Sequence, residues 1–452
     1  MDAIQKRGPL FTNRALVSLT VPIVLDALLA IVAGMVDSAM VSSAGEAAVS
    51  AVSLVDSLNL LFITVFAAIA VGGSVVTAQY VGSRNYKGAG TSANQLLYAA
   101  TAVATLMAAV MLPLREPVLR WIYGSIEADV FENASIYSFY TLLGFPFFAM
   151  GASAAAVLRA MGKNRQAVTI TIAYNILNVI GNATLIYGFR MGVAGAAIST
   201  SVSRVIYAAL GLYLAHSRKL PARFHKLLAF RLDWGIMRRV LRLGLTQGLE
   251  NGMFHIGKIL IASLVSSFGT VAIAANSVSN TINNIGWTIV GAFGTVLLTV
   301  VGQCIGAGEP EQAKANVKKM LTAASVAAFL LFGSVFLLRG SLVRLFDFGP
   351  ETLETCAYYT GASALLSIAA FYSFSFVPVS AFRAAGDIRY AMTLSITSMF
   401  AFRVALCYVL NAIFPSLGLM CVYLGMFVDW AFRSVLNFFR FRSGKWLHQK
   451  LV

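Results

Sequence analysis

Charge is scarce in this sequence. Of 452 residues only 12% are charged, while 58% are apolar. A water-soluble chain of that length needs more charge to cover its surface, so a soluble globular enzyme is excluded. Cysteine is scarce as well. The four present, Cys304, Cys356, Cys407 and Cys421, have no CxxC-type spacing. They read as small buried apolar residues, not as metal ligands or a disulfide framework. Also missing are a P-loop, a Gly-x-Ser-x-Gly elbow, a His-Glu-x-x-His pair and any catalytic carboxylate pair with a histidine on a shared loop. ATP hydrolysis and enzymatic turnover are therefore not expected, nor is a cofactor. No cleavable leader is expected: Met1 to Arg14 is polar and basic, and the first apolar run ends in a polar turn.

What is present is a series of apolar runs, many longer than the ~20 residues that a helix needs to cross a bilayer. They are continuous, not alternating, so the spans are helices and not barrel strands. Twelve are expected, near 15–38, 48–76, 91–113, 134–158, 167–188, 193–216, 238–265, 270–303, 315–338, 353–382, 388–410 and 416–440. The loops then alternate sides. One side holds Lys6, Arg7, Arg14, Arg84, Lys87, Arg159, Lys163, Arg165, a cluster from Arg218 to Arg242, Lys314, Lys318, Lys319, Arg383, Arg389 and Arg433 to Lys450. The other holds only Arg115, Arg120, Arg190, Arg339 and Arg344, together with most of the loop acids. The positive-inside rule puts both termini in the cytoplasm of a multi-pass bacterial inner-membrane protein. The net charge of +16 then reflects topology and contact with membrane lipids, not nucleic acid.

The chain repeats itself. Gln79-Tyr80-Val81-Gly82 recurs as Gln303-Cys304-Ile305-Gly306, Leu158-Arg159-Ala160-Met161-Gly162 as Phe382-Arg383-Ala384-Ala385-Gly386, and Ser53 and Asn59 as Ser277 and Asn283, always 224 residues apart. One constant offset over so long a stretch means two halves of six helices each. Six is even, so both halves enter from the same side. The expected fold is an all-α integral membrane protein, its two six-helix lobes related by a pseudo-two-fold axis along the membrane normal. The lobes are 1–215 and 238–452, joined by a basic cytoplasmic linker at 216–237.

Ionisable groups inside a bilayer are costly, so each is a functional candidate. Two read as ordinary: Asp56, early in the second span near the outer surface, as a solvated or capping group, and Arg204, in the cytoplasmic half of the sixth span, as snorkelling to the interface. Asp37 stands out. It lies fifteen residues after Pro22, which favours a kink in the first helix. Asn178 and Asn182 are four apart and share one face of the fifth span, and Thr200 follows on the sixth. A carboxylate, two amide oxygens and a hydroxyl suit a hard cation or a proton. A hydrogen-bonded contact between helices is the bland alternative.

Val36-Asp37-Ser38-Ala39-Met40-Val41, the two Gln-x-x-Gly motifs, Leu158-Arg159-Ala160-Met161-Gly162, Asn175-Ile176-Leu177-Asn178, Gly195-Ala196-Ala197-Ile198 and Ala274-Ala275-Asn276 occur in an order and spacing that resembles the MATE (multidrug and toxic compound extrusion) family, with the DinF-like branch most similar. The resemblance covers nearly the whole chain. It implies a two-lobed exporter that exchanges H⁺ or Na⁺ for amphipathic, often cationic, drug-like molecules. It also implies that Pro22, Asp37, Asn178 and Thr200 occupy the cation-site positions of the N-lobe. Two positions depart from the pattern. Asn182 stands where the family usually has a second aspartate, so one monovalent ion or proton per cycle is expected. Phe371-Tyr372-Ser373-Phe374-Ser375 lacks the acid that the NorM-type branch carries in its C-lobe.

The repeat adds two expectations. Asp26 maps onto Glu250, and the helices carrying them border the central cleft of the resembled fold. The pair is read as giving that cleft affinity for cations, with Met253, Phe62 and Trp287 as adaptable apolar wall; capping polar groups within its own lobe is the alternative for each. In the C-lobe, Lys258, Arg403 and Asp429 fall near the mates of the cation-site residues and are expected to form a fixed charge cluster. The functional reading is a monomeric secondary active multidrug exporter working by alternating access. A flippase for a lipid or lipid-linked oligosaccharide is the alternative.

Overall fold

The computed structural model describes residues 9–124, 127–218, 220–224, 231–369 and 371–449. Lys6, Arg7, Lys450 and linker residues 219 and 225–230 lie outside them. The first half folds into α1 (Asn13–Ser42), α2 (Glu46–Gly82), α3 (Tyr86–Tyr123), α4 (Ala128–Leu143), α5 (Phe145–Ala160), α6 (Asn164–Asn182) and α7 (Gly192–Ala215). The second half gives α8 (Trp234–Ser266), α9 (Thr270–Gly306), α10 (Pro310–Val343), α11 (Pro350–Ala369), α12 (Tyr372–Ala385), α13 (Ile388–Ser398), α14 (Leu406–Ile413) and α15 (Met420–Ser443). No strand occurs among the described residues.

Eight spans are long and apolar enough to cross a membrane, and two bent pairs raise this to ten. The remaining long helices are α8 and α15, whose spans carry Glu250, Lys258, Asp429 and Arg433. With them the spans number twelve. The span expected over 134–158 is broken into α4 and α5, bent by 46°. Gly144 and Pro146 account for the break, because proline cannot donate the backbone bond that would continue the helix. The span expected over 353–382 is likewise broken into α11 and α12, at 54°. There Phe371 adopts a left-handed conformation (φ 51°), which a non-glycine residue in a helix does not.

The repeat is visible in the backbone. Gly45 and Gly269 (φ 104° and 91°) precede the second helix of each half, and Gly162 and Gly386 (φ 74° and 100°) end the repeated Arg-Ala motif. Glycine recurs at these turns because only it takes positive φ without strain. Each half also carries a π-helical turn in its fifth span, Ala183–Gly188 after α6 and Met399–Ala405 before α14. Such widened turns are rare and concentrate at functional sites.

Two compact units result among the described residues, one from 21 to 248 and one from 249 to 449 together with residues 9–20. The division runs through α1 beside Pro22 and through α8 after Gly248. In the first unit, α5 and α7 pack closely through small residues. A Cβ added to Gly211 would meet the Ala154 Cβ at 2.9 Å. Gly211→Val should wedge these helices apart and cost about 1–3 kcal/mol, read as a lower melting temperature in detergent. An unchanged melting temperature would show that the contact can relax.

Candidate functional site: a carboxylate–amide centre and a buried charge cluster

In the first unit α1, α6 and α7 bring the expected cation-site residues together. The Asn182 side-chain amide donates to Asp37 Oδ1. Asn178 Nδ2 donates to Thr200 Oγ1 at 3.2 Å, and Ser199 Oγ donates to the Asn178 carbonyl at 2.9 Å. Asn182 is fully buried and its Oδ1 has no hydrogen-bond partner. An orphaned buried oxygen beside a carboxylate is what a bound cation would satisfy. Asn182 lies directly before the π-helical turn, and its side chain reaches Asp37 of α1.

The structure adds groups that sequence reasoning passed over. Asp56 of α2, read as a solvated or capping residue, accepts from the Tyr137 hydroxyl at 3.2 Å and from Asn59 Nδ2 at 3.3 Å. Its charge acts on Asp37, and Tyr137 of α4 is within electrostatic reach of both carboxylates. The centre therefore holds two acids, the second from α2 instead of α6. The i,i+3 spacing of Asp56 and Asn59 was a signal for a shared polar face; Tyr137 had none. Arg204, expected to snorkel toward the cytoplasm, is instead buried. It donates to the Thr141 carbonyl at 2.7 Å and lies over the rings of Phe145 and Phe148.

The residues assigned to a substrate cleft are distributed over the two units. Asp26 meets the Thr171 hydroxyl and the charge of Arg159. Its repeat mate Glu250 forms an ion pair with Arg383 NH2 at 2.6 Å, and Arg383 is the repeat mate of Arg159. The duplication has thus kept a carboxylate–arginine relationship in each half. Phe62 packs edge-on against Phe145. Met253 is half-buried on α8. Trp287 lies against Trp430 and Tyr372 in the second unit. Pro22 sits inside α1, which continues through it as one helix.

The charge cluster of the second unit differs from expectation in one partner. Asp429, fully buried on α15, accepts from Arg433 Nε at 2.8 Å and pairs with Arg403 NH1 at 3.8 Å. Arg433 also donates to the Ser395 carbonyl. It had been grouped with the basic C-terminal stretch, although its i,i+4 spacing from Asp429 on one helix face was readable. Lys258 is not the third member of an ion-paired triad. Among the described residues it pairs with no acid, and its ammonium lies over the Phe254 ring. The reason is geometric: Asp429 presents its two oxygens to two arginines, and no carboxylate remains for the lysine.

The comparisons agree with this architecture. The family model MatE matches the chain twice, over residues 22–184 and 248–409. The chain is 25% identical over 438 residues to "Probable multidrug resistance protein NorM" of Thermotoga maritima, covering 96% of this chain and 93% of that one. It is 24% identical over 447 residues to "Uncharacterized transporter YisQ" of Bacillus subtilis, covering 97% and 96%. Among solved structures, the outward-facing conformation of a multidrug resistance MATE family transporter of the MOP superfamily matches with a TM-score of 0.88 at 20% identity, over 95% of each chain. With two six-span halves, ionisable groups buried in each, and a family model matching both, this chain is a multi-pass membrane transporter and belongs to the MatE (multidrug and toxic compound extrusion) family.

Proposed function

We propose that this chain is a secondary active exporter of amphipathic small molecules, driven by inward movement of H⁺ or Na⁺ and seated in a bacterial inner membrane with both termini in the cytoplasm. The observation that carries the reading is Asp37, which accepts from the Asn182 amide nitrogen while the amide oxygen of Asn182 is buried without a partner. A bound Na⁺ would take oxygens from Asp37, Asn182, Asn178 and Thr200; a proton would reside on Asp37, within reach of Asp56 through Tyr137. Withdrawal from water makes such carboxylates responsive to either ion. Occupancy removes negative charge from the face of α1 fifteen residues beyond Pro22. The missing backbone bond at that proline lets the helix bend there, and cargo affinity falls as the helix moves.

The ion pair of Glu250 with Arg383 supports the reading in which that carboxylate holds a polar group of its own half, whereas Asp26 keeps one buried oxygen without a partner. Efflux of an amphipathic dye from proteoliposomes, under separately imposed pH and sodium gradients, tests the proposal. One gradient should drive efflux against a cargo gradient, up to about a tenfold concentration ratio for one ion per cargo, since a tenfold ion gradient supplies ~1.4 kcal/mol. Efflux indifferent to both gradients would overturn ion coupling.

A further inference from the structure

The second unit contains a cavity of about 420 Å³ that the cation centre does not use. That volume is within the range of small-molecule sites. Lys258 of α8 and Arg403 of the π-helical turn both line it. So do Asn276, Asn280 and Asn284 of α9, at i, i+4 and i+8 on one helix face, and Trp287 one turn further on. No carboxylate lines it. Thr281 of α9 adds a hydroxyl, and the remaining wall is apolar, from α8 and α15.

The charges around this cavity do not cancel. Arg403, Arg433 and Lys258 contribute three positive charges, and among the described residues Asp429 is the one acid paired with any of them. Arg433 engages Asp429 closely, so Arg403 shares a carboxylate that is already bonded, and Asp429 Oδ2 makes no hydrogen bond to it. The Trp287 indole N–H is buried and likewise has no acceptor. Uncompensated cations inside a membrane-spanning unit are expensive. Guanidinium, ammonium, amide and indole N–H groups are all donors, and together they match carboxylate or phosphate oxygens.

We propose that this cavity binds the anionic group, carboxylate or phosphate, of an amphipathic organic anion taken from solution, with the apolar wall receiving the rest of the molecule. The exported cargo of this chain would then be anionic, in contrast to the cationic cargo that its acids had suggested. The proposal rests on the exporter reading for its physiological meaning, but binding can be measured without any ion gradient.

Two xanthene dyes of opposite charge, carboxyfluorescein and tetramethylrhodamine ethyl ester, separate charge from shape. Fluorescence anisotropy would be recorded with the full chain in zwitterionic phosphatidylcholine nanodiscs. Carboxyfluorescein is expected to bind, and Lys258→Met should weaken it by about threefold or more through loss of one cationic partner at the cavity wall. Arg403→Gln, which leaves Arg433 on Asp429, should do the same. The rhodamine ester should bind no more weakly to either variant than to the parent, which also reports that the variants are folded. Equal carboxyfluorescein affinity in parent and both variants, or no binding to the parent, would overturn the proposal. Displacement of the dye when phosphatidylglycerol replaces part of the phosphatidylcholine would assign the cavity to a lipid headgroup and overturn the soluble-anion reading. Binding without gradient-driven transport would count against the exporter reading alone; gradient-driven transport without charge-selective binding would count against the anion cavity alone.

Discussion

Asp37→Asn is expected to abolish gradient-driven efflux while leaving the protein folded. Asparagine has nearly the same shape and still meets Asn182, so the packing of α1 against α6 is kept. What disappears is a unit negative charge at the proposed ion site. At contact range and an intermediate dielectric this is worth on the order of a few kcal/mol. Apparent ion affinity should therefore fall by roughly two orders of magnitude or more. Asp56→Asn should weaken coupling less, because Asp56 acts on Asp37 from a distance and keeps its bonds to Tyr137 and Asn59 as an amide. Dye efflux from proteoliposomes under the active gradient, with melting temperature recorded beside it, checks both variants. Full transport by Asp37→Asn would remove the coupling scheme.

The second large effect concerns stability. Asp429→Leu should destabilise the second unit by about 3–5 kcal/mol, because it strands buried cations without their carboxylate. Asp429 is fully buried and holds Arg433 at 2.8 Å and Arg403 at 3.8 Å. A surface comparison sets the scale. Arg115 and Glu116 form a pair at 3.2 Å with solvent-accessible side chains, so Glu116→Gln should change stability by under about 1 kcal/mol. Thermal unfolding in detergent should show a clear drop for the first variant and almost none for the second. Equal melting temperatures would mean that the arginines near Asp429 find other acceptors or leave the interior.

The carbon-rich spans, the duplication and the candidate cation centre were all legible before any coordinate was known. Asp37, Asn178, Asn182 and Thr200 could be picked out because an acid or a stripe of amides is conspicuous in an apolar run. Asp56 was misread because its nearness to one helix end suggested water, and a sequence does not tell which neighbours stand in front of a side chain. Tyr137 could not be found at all, since a tyrosine on a partly polar helix looks the same whether it faces lipid or a carboxylate. Lys258 was grouped with Arg403, beside which it lines a cavity, and with Asp429, with which it forms no ion pair among the described residues. Repeat arithmetic places residues along helices, whereas pairing depends on rotation about each helix axis.

By itself the sequence determined that this protein crosses a membrane about a dozen times, that it does so as a doubled six-helix unit, and which rare ionisable groups are carried inside. Those properties follow from transfer energies and periodicity, which are local to the chain. Only the tertiary structure decided which acid meets which base. It set Asp56 within reach of Asp37, gave Asp429 to Arg433 and Arg403, and left Lys258 facing a cavity. Such choices turn on a few ångströms between helices remote in sequence, where the Coulomb energy of a desolvated charge changes steeply and no local rule reaches.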